Sequence, residues 1–173
     1  MILDVCCGSE SMYHGSQAEL NDDEFITMDI RRGDFSYKYE SMLTETPVIV
    51  EPDILANMRY LPFKDDVFDI IVCDPPHMDC GLTGFWGKKY GSWNQQDTID
   101  TMELANIEFS RCLRPHGTLV PKSTVDIIPR FKKMLSNFKF FLPIQTIRAQ
   151  GCITPKESQK AALWYITINN KWS

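Results

Sequence analysis

Short apolar runs alternate along this chain with longer polar stretches that repeat at helical spacing. Residues 2–5, 24–28 and 68–73 are runs too short for helices and bounded by turn-forming residues, so each predicts a strand. Residues 47–54 predict another, which Pro52 confines to a sheet edge or a strand end. Residues 9–20 predict a short helix weakened by Gly15, and residues 30–46, polar with Tyr37 and Tyr39, cross the edge as helix or loop. Over residues 97–113, Met102, Ala105, Phe109 and Leu113 fall on one helical stripe, with Asp97 as the expected cap and Gly117 in the terminator region. Residues 118–120 predict a fifth strand. Residues 126–137 predict a second helix, in which Pro129 falls in the first turn, where no intrahelical N–H bond is needed. Residues 138–142 and 162–168 predict the last two strands, joined through 150–160. Strands alternating with helices imply a mostly parallel sheet, with ligands expected beyond the carboxyl ends of its strands.

Composition narrows the class. A length of 173 residues suits one domain, 1–173, and 43% hydrophobic with 24% charged residues is ordinary for a globular chain. No apolar run approaches the roughly 18 residues of a membrane span, and no basic stretch precedes the first strand as a signal peptide would require. The cysteines, at 6, 7, 73, 80, 112 and 152, include no Cys-x-x-Cys pair, which predicts a reduced, cytoplasmic protein. His77, Asp79 and Cys80 lack a second pair to complete a metal site, so no metal is expected.

The net charge of −5 conceals a division: residues 1–109 carry 7 Lys/Arg against 21 Asp/Glu, and residues 110–173 carry 11 against 2. A local basic surface can contact phosphates whatever the total charge. Arg130, Lys132, Lys133 and Lys139 concentrate that charge. A solvated helix face, or contact with the acidic half or another subunit, are the alternatives.

Two segments carry candidate chemistry. Asp74-Pro75-Pro76-His77 closes the strand at 68–73, where the prolines cannot extend a ladder and stiffen the turn. A carboxylate, fixed carbonyls and a flat ring there suit a planar exocyclic amine. The strand at 2–5 ends in Asp4 and Val5 and is followed by Cys6, Cys7, Gly8 and Ser9, small residues that let a ligand approach the backbone. Asp29, about twenty residues on, stands where a carboxylate accepts ribose hydroxyls, with Ile30 beside it. A single glycine in the turn excludes the dinucleotide pattern. Residues 77–94, rich in glycine and aromatics, add Trp86, Lys88, Lys89 and Tyr90, a combination suited to an unstacked base and its phosphates. A lid that closes without touching nucleic acid is the alternative.

Residues 4–9 resemble the D-P-x-C-G-S-G loop of class I S-adenosylmethionine (SAM)-dependent amino-methyltransferases, and Asp74–His77 resembles their D/N-P-P-Y/F/W motif, including small phage and bacterial members with D-P-P-H followed by K-K-Y-G. Residues 56–69 and 114–119 are similar to two further landmarks of that superfamily, so the resemblance covers roughly residues 1–125. It implies a Rossmann-like α/β fold with a mostly parallel seven-stranded sheet and a C-terminal antiparallel hairpin strand. It also implies SAM as cofactor, held by Asp4, Cys6, Cys7, Gly8, Ser9, Asp29, Ile30, Asn57, Met58 and Asp74, with Asp74, Pro75, Pro76 and His77 catalytic. Departures stand at Glu10, in place of a glycine, at Asn57, in place of an adenine-binding Asp, and at His77, in place of a larger ring. Imidazole titrates near neutrality, so activity is expected to fall in mild acid.

The activity implied is methylation of an exocyclic amine of a nucleic acid base, adenine N6 favoured. Nucleic acid, DNA or RNA, would contact the basic C-terminal third and the 78–94 loop. The chain has no sizeable target-recognition segment, so a homodimer or a partner subunit is a further expectation. A small-molecule or protein-amide methyltransferase, and a catalytically silent SAM-binding subunit, are the rival readings.

Overall fold

The run Phe68–Cys73 forms β6, with Phe68, Ile71 and Cys73 fully buried. The other short runs assemble around it in the computed structural model, which describes residues 1–9, 24–38, 45–76, 79–124, 128–147 and 162–171. Before it come β1 (Ile2–Asp4), β2 (Phe25–Asp29), β3 (Gly33–Asp34), β4 (Ile49–Val50) and β5 (Ile54–Leu55); after it come α1 (Phe85–Tyr90), α2 (Gln95–Cys112), β7 (Leu113–Thr124), α3 (Ile128–Met134), β8 (Phe138–Ile147) and β9 (Ala162–Asn169). Seven strands form one sheet in the order β5-β2-β1-β6-β7-β9-β8. The pairings from β5 through β7 are parallel, while β9 runs antiparallel to both β7 and β8. The mostly parallel seven-stranded sheet with an antiparallel C-terminal hairpin strand is therefore present.

The chain builds outward from β1 through β2 to β5, then returns to β6 on the other side of β1. Connections leave the carboxyl ends of β1 and β6 in opposite directions, which opens a crevice between them. Below it, Leu3 of β1, Ile71 of β6 and Leu119 of β7 join Met102, Ala105, Phe109 and Cys112 of α2 in one core cluster. Recurrence at three and four residues places that α2 stripe on one face. Phe131 and Met134 of α3 join the same cluster.

Several predicted elements differ from those observed. Residues 47–54 are two strands, because Pro52 lacks the N–H a continuous ladder would need. The first, β4, pairs antiparallel with β3, and Phe35 N donates to Val48 O at 2.9 Å. A small ribbon thus occupies the described part of 30–46 in place of a helix or plain loop. The second, β5, is the sheet edge, and Asp53 beside it fastens the segment to β2 by accepting from Thr27 N at 2.8 Å and Thr27 Oγ1 at 2.9 Å.

Helix α2 begins earlier than expected and is capped by Asn94, not Asp97. Asn94 Oδ1 accepts from Asp97 N at 2.9 Å while Asp97 Oδ2 accepts from Asn94 N at 3.3 Å, a reciprocal capping box. Gly117 does not end the helix: Leu113 leaves it directly into β7, and 114–117 loop out between the pairs Phe68–Leu113 and Ile70–Thr118. Helix α1 lies inside the segment expected to be all loop. Most of the predicted 9–20 helix and the whole 150–160 connection fall outside the described residues. No helix among the described residues is long and apolar enough to cross a membrane.

Candidate functional site

A cavity of about 360 Å³ opens at the carboxyl ends of β1, β2 and β6, where the crevice between β1 and β6 lies. Its floor is the turn after β1. Asp4 is fully buried, and its Oδ1 accepts from Cys6 N at 3.0 Å, so this carboxylate sits beneath the turn and shapes it rather than lining the cavity. Cys7 N donates to Met28 O at 3.1 Å and Gly8 N to Asp29 Oδ2 at 3.0 Å, which ties the turn to β2. Gly8 has φ 56, the left-handed region that glycine enters without strain. Cys6, Cys7, Gly8 and Ser9 all face the cavity. A hydrogen bond with Cys73, then burial, raises the Cys6 thiol well above its ordinary pKa and keeps it neutral.

Asp29 and Ile30 form the wall above β2. Asp29 is nearly buried, yet each oxygen is already held: Oδ2 by Gly8 N, and Oδ1 by Arg31 N at 2.8 Å and Arg31 Nε at 3.3 Å. Each carboxylate oxygen has two lone pairs, so the group keeps acceptor capacity for a ligand. Arg31, which the sequence reading passed over, crosses the cavity and donates from Nη1 to Lys88 O at 3.0 Å. Its guanidinium also lies 5.3 Å from the Phe35 ring centroid on the ribbon.

Asn57 and Met58 line the third side. Asn57 Oδ1 accepts from Arg59 N at 3.0 Å, closing its own turn, so the side chain retains an amide N–H pair as its donor. The segment that follows is clamped to α2. Glu108 Oε2 accepts from Leu61 N at 2.7 Å and from Arg111 Nη2 at 2.8 Å, and Arg111 donates onward to Phe63 O at 2.7 Å and Asp65 Oδ1 at 2.9 Å. The Arg111 hydrogen bonds hold the Glu108 carboxyl below its ordinary range, helped by the Leu61 N–H.

Asp74 and Pro76 reach the cavity from the end of β6, whereas Pro75 is buried behind them and His77 lies outside the described residues. Asp74 Oδ2 is ion-paired with Lys122 Nζ, a β7 side chain that also lines the cavity and that the sequence reading did not single out. The signal available was weak: a lone lysine after an apolar run.

The mouth is a collar from residues 82–93. Lys89 and Tyr90 line it together with Leu82, Gly91, Ser92 and Trp93. Trp86 stands outside the lining but stacks on Tyr90, with centroids 5.8 Å apart and planes 14° from parallel. Lys88 joins the collar through its carbonyl, which Arg31 holds, and its ammonium lies 5.3 Å from the Tyr37 ring centroid. Ile30 at 61%, Leu82 at 67% and Trp86 at 51% exposure leave apolar side chains open to solvent around the mouth. Among the described residues, no three His, Cys, Asp or Glu side chains converge as a metal would need.

No protein family matches this sequence, and no curated protein matches it either. Solved structures do match. The N-methyltransferase NodS from Bradyrhizobium japonicum WM9, in complex with S-adenosyl-L-homocysteine, is 11% identical at a TM-score of 0.53, with 97% of this chain and 76% of that chain covered. A Haloferax volcanii complex of the methyltransferase activator Trm112 with a protein assigned as a methyltransferase is 10% identical at a TM-score of 0.55, covering 97% and 81%. The [4+2]-cyclase SpnF is 10% identical at 0.52, covering 97% and 74%. At such identities the likeness concerns the backbone alone, and the chain has the Rossmann-like fold of class I SAM-dependent methyltransferases.

Proposed function

We propose that this chain, residues 1–173 as one domain, is a SAM-dependent methyltransferase acting on an exocyclic amine of a nucleic acid base, with adenine N6 favoured. One observation carries the reading: the turn at 5–9 and the Asp74-Pro75-Pro76 segment meet in a single cavity at the switch point of the sheet. The residues there fit SAM. Gly8 admits a close ligand, Asp29 suits ribose hydroxyls, and Ile30 with Met58 offers apolar contact to an adenine ring. Asn57 would donate to a ring nitrogen of that adenine. The S-adenosyl-L-homocysteine bound to NodS supports the same assignment.

When bound, SAM supplies an activated methyl group together with its own leaving group, so the chain need only position the acceptor and exclude water. Asp74 would accept one acceptor N–H, the Pro75 carbonyl would take the second, and His77 would stack on the base. The two hydrogen bonds favour a tetrahedral nitrogen. No strong base is required, because the proton leaves from an acidic ammonium. Trp86 and Tyr90 add a stacking platform, and Lys88 and Lys89 add charge for phosphates. A base inside a duplex would have to be flipped out, at a cost of a few kcal/mol.

The test is transfer of a radiolabelled methyl group from SAM to DNA, RNA and small amines, beside calorimetry with SAM. Label on a base supports the reading, label on small amines alone replaces the acceptor, and SAM binding with no label anywhere indicates a silent subunit. Asp74→Ala should retain SAM affinity and lower transfer by about a hundredfold or more. Equal loss of both would remove Asp74 from the acceptor role.

A further inference from the structure

Lys122 gives the acceptor end of the cavity a property that a lone carboxylate lacks. Strand β7 pairs with β6 through Val72–Val120 and Cys73–Pro121, so Lys122 stands level with Asp74 on the neighbouring strand. The two side chains form an ion pair, each is 14% exposed, and both line the cavity. The surface presented there is a hydrogen-bond acceptor and a cationic donor side by side.

We propose that Lys122 is a specificity-determining residue that selects acceptors in which an exocyclic N–H lies next to a lone pair of the same ring. The inference rests on the methyl-transfer reading above and names its substrate class: an amidine-type edge, as on adenine or cytosine. Asp74 takes the N–H, and Lys122 donates to the flanking ring nitrogen. An aliphatic amine has no such neighbour. It is also cationic at neutral pH, with an ordinary pKa of about 10.4, and would meet the like charge of Lys122 in a partly desolvated site. A nucleobase amine is neutral and offers both halves of the pair. Guanine's amine is flanked on the Watson–Crick edge by the N1–H donor, to which Lys122 cannot donate, and the ring lone pair beside that amine, on N3, lies on the sugar side.

The test uses thymidine oligonucleotides carrying one adenine, 1-deazaadenine, 7-deazaadenine, cytosine, 3-deazacytosine or an aminohexyl group, with radiolabelled SAM under single-turnover conditions. The wild type should label adenine or cytosine. It should label the analogue lacking the lysine-facing ring nitrogen at least about tenfold more slowly, and leave the aminohexyl group unlabelled. Lys122→Met should bind SAM as the wild type does by calorimetry, drop to the rate of that analogue, and no longer distinguish the analogue from the natural base. Lys122→Arg, which keeps a donor, should restore part of the discrimination.

A wild type that labels every deaza analogue as fast as its parent base overturns the proposal and leaves the methyl-transfer reading standing. Undiminished discrimination in Lys122→Met does the same. A wild type that labels no acceptor, or only the aminohexyl group, overturns both.

Discussion

Gly87 and Gly91 show how single residues set the geometry of the cavity mouth. A Cβ on Gly87 would collide with the Gly81 carbonyl, which is backbone and cannot swing aside. Gly91 sits at φ 78, and a Cβ there would lie 3.1 Å from Pro76 Cγ, so the collar rests directly on the Asp-Pro-Pro segment. Gly87→Ala should therefore displace α1 without unfolding the core. Methyl transfer should fall by about a hundredfold, as displacement of an acceptor by an ångström can cause, with melting temperature nearly unchanged and SAM affinity retained. Several residues of the site were legible as letters: Cys6 to Ser9, Asp29, Asn57, Met58, Asp74, Pro76, Lys89 and Tyr90 share the cavity. Arg31 and Lys122 were not, because their roles arise from neighbours 57 and 48 residues away in the chain, and no local pattern encodes such pairings.

At the scale of elements, the clamp between α2 and residues 61–65 keeps Asn57 and Met58 in position. Its centre is Glu108 with Arg111, whose side chains are 18% and 29% exposed. Glu108→Gln should cost about 1–2 kcal/mol of stability at neutral pH, allowing for partial solvent screening, as a urea midpoint would read. Because the folded carboxyl titrates below its ordinary 4.5, the unfolded chain takes up that proton first as pH drops. The clamp's contribution is thus complete above about 4.5 and is lost as pH falls through the depressed folded value. The variant's deficit against wild type should shrink over that interval. Strands and helices with clear periodicity were visible beforehand, including β6, β9 and the buried stripe of α2. The β3–β4 ribbon was not. Two-residue strands are shorter than any period, and their pairing depends on a partner some fifteen residues distant.

Across the whole molecule, the charge division gives an acidic stretch over residues 1–109 and a basic remainder. Lys133, exposed on α3, belongs to the basic side. Next to α3 a second, smaller hollow of about 200 Å³ is lined by Arg130 and shares Trp93 with the main cavity. On the proposed nucleic acid reading, a strand whose target base enters the main cavity would carry its neighbours toward this second hollow. Single-stranded oligonucleotide binding should weaken as salt rises, and Lys133→Glu should lower the slope of log affinity against log salt by about 0.7 for each phosphate it ceases to neutralise. SAM affinity should be unaffected. An unchanged slope would take α3 off the path of the strand.

Arg31 touches two sides of the candidate site at once, gripping the β2 carboxylate with one edge and the last turn of α1 with another. Filling either side therefore alters the load on the same guanidinium. The two ligands should not enter independently: occupancy of either side should change the affinity of the other by the same factor, as paired titrations would read.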